Sequence, residues 1–213
     1  QRIDVDVTFQ GLDEMRSRFS GRMFKQTSNV RFVTSDGVEI ADSESWGMRT
    51  ERTTAKKKGK YKTLRPEPMA DGLLEEVFDA YEKEVPRGVE PLHWEDIAVG
   101  DTIPSIVRGP YSATTAVCFE QAWGGLFVKA HGYWYDYLRR HPAAGIANPY
   151  GVPEPPEAVH WDGELARSVG VPEAYDYGPE RIAWIATMLT NWIGDRGFLE
   201  ELYCEVRRFN LVG

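Results

Sequence analysis

Polar and apolar residues alternate from Ile3 to Phe9, which puts Ile3, Val5, Val7 and Phe9 on one side; a period of two is the mark of a half-buried strand. The strand pattern continues from Arg22 to Val33. Ser35-Asp36-Gly37 then supplies a hairpin signal, and Val38 to Arg52 is a third run of the same kind. An antiparallel meander is therefore expected over this opening segment.

The period then changes. Lys56 to Pro68 is first basic and then proline-bearing, so it reads as a connector and not as a central strand. Leu73, Leu74, Val77, Phe78 and Tyr81 repeat with helical spacing, and Pro86-Arg87-Gly88 closes that helix, which places an expected domain boundary between residues 85 and 86. His93 to Pro110 reads as short extended pieces around a Val99-Gly100-Asp101 turn. Ser112 is an N-cap for a helix that Gly124-Gly125 stops. An aromatic run from Leu126 to Arg140 leads into a Pro/Gly/Ala loop from His141 to Pro156, of a length that compact domains usually reserve for function or leave disordered. Arg181 to Trp192 is an apolar run with helical spacing, and Phe198 to Leu211 alternates like a last strand.

Charge and cysteine usage narrow the partners. A formal net charge of −8 argues against nucleic acid or an anionic membrane as the main partner, because such partners need clustered Lys and Arg, so neither is expected. The one basic cluster is Arg49, Arg52, Lys56, Lys57, Lys58, Lys60 and Lys62. It reads as a solvated loop, or alternatively as a landing patch for the phosphates of a nucleotide-bearing substrate. Cys118 and Cys204 form no CxxC and no paired Cys/His spacing, so no metal site is expected and a reducing, cytoplasmic setting is. No leader and no apolar run of membrane-spanning length stands out in the sequence.

Between the loop and the last helix lies AVHWDGELARSVGVPEAYDYG, Ala158 to Gly178. Its pattern, H-x-D-x-x-x-A from His160 through Asp162 to Ala166 and then Gly178 eighteen residues after the histidine, resembles the signature of the MaoC-like acyl dehydratases and (R)-specific enoyl-CoA hydratases. WEDIAVGDTI at Trp94 to Ile103 is similar to the family's entry into a hot-dog domain. Tyr175 to Trp192 resembles a subgroup with two hot-dog halves in one chain, and GRMFKQTSNVRFVTSDGVEIADSES looks like the later strands of a first half. The resemblance implies an α+β chain with a hot-dog fold in two halves. Residues 1–85 would be the later strands of a first half with connector and helix, and 86–213 a second half carrying His160. Pieces of sheet at the N-terminal side of the first half and the C-terminal side of the second would lie outside these residues or on another chain, so a homodimer or a hot-dog partner chain is expected.

The implied activity is hydration of an enoyl thioester or dehydration of a 3-hydroxyacyl thioester, with a coenzyme A or carrier-protein thioester as substrate and no separate cofactor. That chemistry needs a base for water at C3, an acid for C2 and donors for the enolate oxygen. His160 supplies the imidazole and the Gly178 backbone N–H faces the thioester carbonyl. The aspartate that precedes the family's histidine by five positions is Pro155 here. Glu157, Glu154 and Asp162 are the replacement carboxylates. Glu157 is the preferred one, because prolines 153, 155 and 156 restrict the loop and Glu157 stands three residues before His160; a pairing between the two would raise the imidazole pKa. Asp162, Tyr177 and Arg181 are the expected substrate contacts, with an N-cap for Asp162 and a buried ion pair for Arg181 as the structural alternatives. Tyr133, Trp134, Tyr135 and Tyr137 are packing, or the wall of a pocket for a bulky acyl group. Two other readings stand beside the hydratase: a non-catalytic hot-dog subunit that completes a partner's acyl tunnel, and a thioesterase on the same fold.

Overall fold

The computed structural model describes residues 2–17, 21–50, 61, 64–124 and 128–213. The protein mixes helices with antiparallel sheet and divides into two compact units, Gln1–Thr63 and Leu64–Gly213.

The first unit is the expected meander: β1 (Ile3–Ser17), β2 (Gly21–Thr34) and β3 (Glu39–Thr50), each antiparallel to the next. The β2–β3 turn is held by the Gly37 N–H donating to the Thr34 carbonyl at 2.9 Å and the Thr34 N–H donating to Val38 at 2.9 Å, with Gly37 at φ 87°. A side chain at that φ would strain, which is why the Asp-Gly pair marks the turn. β1 runs past the expected end at Phe9. A register shift between Phe9 and Gly11 inserts one residue, so Leu12 takes the place on the sheet face that simple alternation would give residue 11. Directly opposed residues share a face. Ile3, Val5, Val7 and Phe9 stand opposite Thr34, Phe32, Val30 and Ser28, and Phe32 stands opposite Ala41 on the other side, so one face is apolar. The other face carries Asp4, Asp6, Arg31, Asp42 and Glu44. Among its described residues the unit has no helix to cover the apolar face. Of the basic cluster only Arg49 lies within the described residues, where its Nε donates to Gln26 Oε1 at 3.1 Å.

The second unit contains α1 (Leu73–Lys83), α2 (Ala113–Trp123), α3 (His131–Arg140), a two-residue ladder of β4 (Ile146–Ala147) with β5 (Pro153–Glu154), a 3₁₀ turn at Pro156–His160, α4 (Gly163–Ser168) and α5 (Gly178–Ile193). The end of α1 is bound to residues far along the chain. Glu84 takes a two-pronged contact from Arg108 at 2.6 and 2.8 Å and a third bond from Asn191 Nδ2 at 3.0 Å; the Gly109 N–H donates to the Tyr81 hydroxyl at 2.9 Å. The expected boundary at 85/86 thus falls inside this unit, and α1 belongs with the residues after it. α2 has the expected ends: Ser112 Oγ accepts from the Thr115 N–H at 3.2 Å, and Gly124 stops the helix at φ 100°.

Two small cores meet at the loop carrying His160. Ala158, Val159, Leu165 and Ala166 form one; Tyr111, Ala116 and Tyr177 form the other, and Trp161 packs against both. The last strand expected at Phe198–Leu211 is not formed. That segment makes a single antiparallel bridge, Leu211 with Tyr175, flanked by the Asp176 N–H donating to Asn210 at 3.0 Å and the Val212 N–H donating to Ala174 at 2.9 Å. Alternation states only what a strand would bury. A ladder also needs a neighbour, and here that neighbour is one short turn. No strand follows the Val99-Gly100-Asp101 turn through Ser112 either. Among the described residues no helix is long and apolar enough to cross a membrane.

Candidate functional site

The His160 region is built from three pieces: the 3₁₀ turn Pro156–His160, the start of α5, and one face of α2. Pro155 and Pro156 fix the entry to the turn, and the Ala158 N–H donates to the Pro155 carbonyl at 3.0 Å. Asp162 closes the next turn as the N-cap of α4, its Oδ1 accepting from the Glu164 and Leu165 N–H groups at 2.9 and 3.0 Å. That oxygen is therefore committed to the backbone.

His160 lies between two tyrosines, 4.6 Å from the Tyr175 ring in an edge contact and 3.8 Å from the Tyr177 ring in a stack. Its Nδ1 is 2.7 Å from the Tyr175 carbonyl oxygen. A carbonyl only accepts, so Nδ1 carries the hydrogen and the neutral ring keeps its lone pair on Nε2. Burial, opposed by this bond and reinforced by the nearby positive charge of Arg181, holds the imidazole pKa below its ordinary value. The expected pairing with Glu157 is corrected accordingly: the ring bonds to a backbone carbonyl, and its pKa falls where an ion pair would have raised it.

Among the described residues no hydrogen bond joins Glu157 to His160. The Glu157 Oε2 is buried and, among the described residues, without a hydrogen-bond partner, and the carboxyl pKa is pushed up by burial and by the negative charge of Glu120. Glu154, the other loop carboxylate, accepts from Asn148 Nδ2 at 3.1 Å. Pro155 is buried, and the ring offers nothing to His160.

Tyr177 is 4% exposed, and its ring packs against Phe119 and Trp123 of α2 at 5.7 and 6.4 Å. Its hydroxyl stands near the Glu120 carboxylate without reaching hydrogen-bond geometry, and burial with that negative charge drives its pKa upward. Tyr177 is also the N-cap of α5, and it provides no side-chain cap. The first N–H groups of a helix have no partner within it, and among the described residues outside its own chain neighbours and helix nothing lies within 4 Å of where a Cβ on Gly178 would stand. The Gly178 end of α5 is thus an open, electropositive helix start.

Arg181 is drawn inward. Its Nε lies 3.2 Å from Asp176 Oδ2, and Asp176, fully buried, also accepts from the Asn210 N–H at 3.0 Å and from Asn210 Nδ2. The ion-pair alternative for Arg181 is the arrangement present. Glu180, 3% exposed, is pushed up to about 7 by burial and by the neighbouring charge of Asp176.

Three members of this cluster were not singled out in the sequence: Tyr111, Glu120 and Glu180. A signal existed for Glu120. It stands four residues after Ala116, so α2 places both on one face with Phe119 and Trp123 beside them, and an acid inside an apolar stripe is out of pattern. The aromatic run resolves into packing at Trp134, whose Nε1 donates to the Pro153 carbonyl at 2.6 Å and whose ring stacks on Tyr137 at 5.7 Å.

Among the described residues no group of three or more His, Cys, Asp or Glu side chains is placed to hold a metal ion. A cleft of about 130 Å³ lies at the other end of α5, lined by Lys83, Glu84, Ile106, Met188, Asn191 and Trp192. At 1.5 Å per residue its α5 wall begins roughly 15 Å along the helix from Gly178, so it is separate from the histidine. No family model matches the chain, and neither a curated protein nor a solved structure does.

Proposed function

We propose that the protein is an acyl-thioester hydratase or dehydratase of the MaoC-like kind, built from hot-dog halves and completed by a second copy or a partner chain. The observation that carries this reading is the 2.7 Å contact of His160 Nδ1 with the Tyr175 carbonyl, three residues before the uncapped start of α5. It fixes the tautomer that a general base needs. A depressed pKa keeps the ring neutral near pH 7, so Nε2 is ready to take a proton from water.

In the hydration direction the water oxygen bonds to C3 of the enoyl thioester while its proton passes to His160 Nε2. Electron density moves to the thioester oxygen, where the Gly178 N–H and the positive end of α5 stabilise the enolate. Glu157, whose raised pKa favours the neutral acid, delivers the proton to C2. Dehydration is the same path reversed.

The test is to mix the purified protein with crotonyl-CoA and with a bulkier enoyl-CoA and follow loss of the conjugated chromophore. Turnover is expected, and His160→Ala should lower kcat/KM by about 10²- to 10⁴-fold. No turnover at any chain length would sink the reading. Release of free thiol in place of hydration would assign a thioesterase.

Pro155 at the position of the family's aspartate favours a second reading, a non-catalytic hot-dog subunit that completes a partner's acyl tunnel. Activity that emerges only on mixing with a partner hot-dog chain, and survives His160→Ala, would select it.

A further inference from the structure

We infer that residues 201–207, an extended segment outside every sheet, add as an extra strand to the outer edge of β1 in a second copy of the chain. This shares with the proposed function only the need for a second copy, and rests otherwise on backbone geometry.

The segment has the form of a strand without a neighbour. The Tyr203 hydroxyl donates to Glu205 Oε1 at 2.7 Å, and Arg207 Nε donates to Oε2 of the same carboxylate at 2.6 Å. Side chains two positions apart face each other on an extended backbone and not on a helix. The opposite side carries Leu202 and Cys204, half-buried, and Val206, exposed. Among the described residues the sheets are β1-β2-β3 and β4-β5, and residues 200–202 and 204–208 make no backbone hydrogen bond. Both flanks are fixed: the Asp195 N–H donates to the Gly88 carbonyl at 2.7 Å, and the Asn210 N–H donates to Asp176 Oδ1 at 3.0 Å. The segment is thus held at its two ends with its ladder groups to spare.

β1 offers the matching edge, because β2 occupies only one of its sides. Native edges are commonly blunted by Lys, Pro or a bulge; residues 3–9 contain no Lys and no Pro, and the register shift comes only after Phe9. The faces agree. Leu202, Cys204 and Val206 can lie beside Val5, Val7 and Phe9, all exposed, while Tyr203, Glu205 and Arg207 lie on the side of Asp4 and Asp6. Seven residues on each strand would give a ladder of about 20 Å. The β3 edge is the poorer host, since on the same face it presents Ala41, Ser43 and Ser45. Within one chain no ladder joins the segment to β1, whereas each copy carries both a spare strand and a spare edge. Two copies can therefore satisfy one another reciprocally.

Sedimentation from micromolar to submillimolar protein, read together with amide hydrogen exchange, tests this. A dimer is expected, with the amides of residues 201–207 slowing as concentration rises. Glu205→Pro and Val206→Pro remove neighbouring N–H groups that point to opposite sides, so one of the two lies against the partner strand. The segment bears no ladder in the single chain, so both variants should keep the wild-type circular dichroism. Val5→Lys puts a charge on the exposed face beside the edge and leaves the β1–β2 bonds in place. Val5→Lys and one of the proline variants should each raise the dimer dissociation constant about tenfold or more. A monomer at every concentration with fast exchange at 201–207 overturns the inference. So does a dimer that all three variants leave intact, and so does protection that does not depend on concentration, which would put the strand against its own chain. None of these readouts uses turnover: an inactive dimer sensitive to the variants would count against the hydratase alone, and an active monomer would remove the strand addition alone.

Discussion

Asp176 and Glu120 are buried to nearly the same degree, at 0% and 2% exposure, and their surroundings could hardly differ more. Asp176 is met by the backbone and side-chain nitrogens of Asn210 and by Arg181, which oppose the rise that burial gives its pKa and tie Asn210 to the start of α5. Among the described residues Glu120 has the burial without the bonds. A buried acid with partners is an anchor, whereas one without them bears the cost of burial unrelieved.

Asp176→Ala is the severest test of this contrast. It leaves Arg181 without its carboxylate partner, and should lower the unfolding free energy by about 3–5 kcal/mol in a denaturant titration; a loss under about 1 kcal/mol would show that Asp176 is no anchor. Glu180→Gln tests the other side. With a folded pKa near 7 against the ordinary value of 4.5, Glu180 holds its proton more tightly in the folded state, so stability should fall as pH rises from 4.5 to 7. The difference amounts to at most about 3 kcal/mol. Glu180→Gln should flatten that slope and be the more stable protein at pH 8, as read from melting curves at several pH values. Asp162→Ala, outside both acidic sites, should lose only about 1 kcal/mol through the cap of α4 and leave the pH dependence untouched. A change of pH dependence in that variant would show that the cap and the acidic cluster are coupled.

The features legible in the sequence are those whose partners lie within a few positions. The Asp162 cap binds N–H groups two and three residues on, the Ser112 cap binds one three residues on, and the Gly37 turn closes over four residues. β1 past Phe9 was hidden because a one-residue bulge shifts the alternation, and the eye reads a broken period as an end. The strand expected at Phe198–Leu211 failed for the opposite reason: its period is intact and its partner is missing from the described residues.

By itself, the sequence determined the meander, the helices with their caps, and the placement of a histidine, a turn and a glycine in one short segment, because each depends on local backbone geometry and on side-chain period. Only the tertiary structure decided what those groups face. Glu120 stands near Tyr177 from 57 residues away, and Asp176 meets Asn210 from 34. The protonation of a carboxyl group is set by the charges and donors around it in space, and no spacing along the chain encodes them.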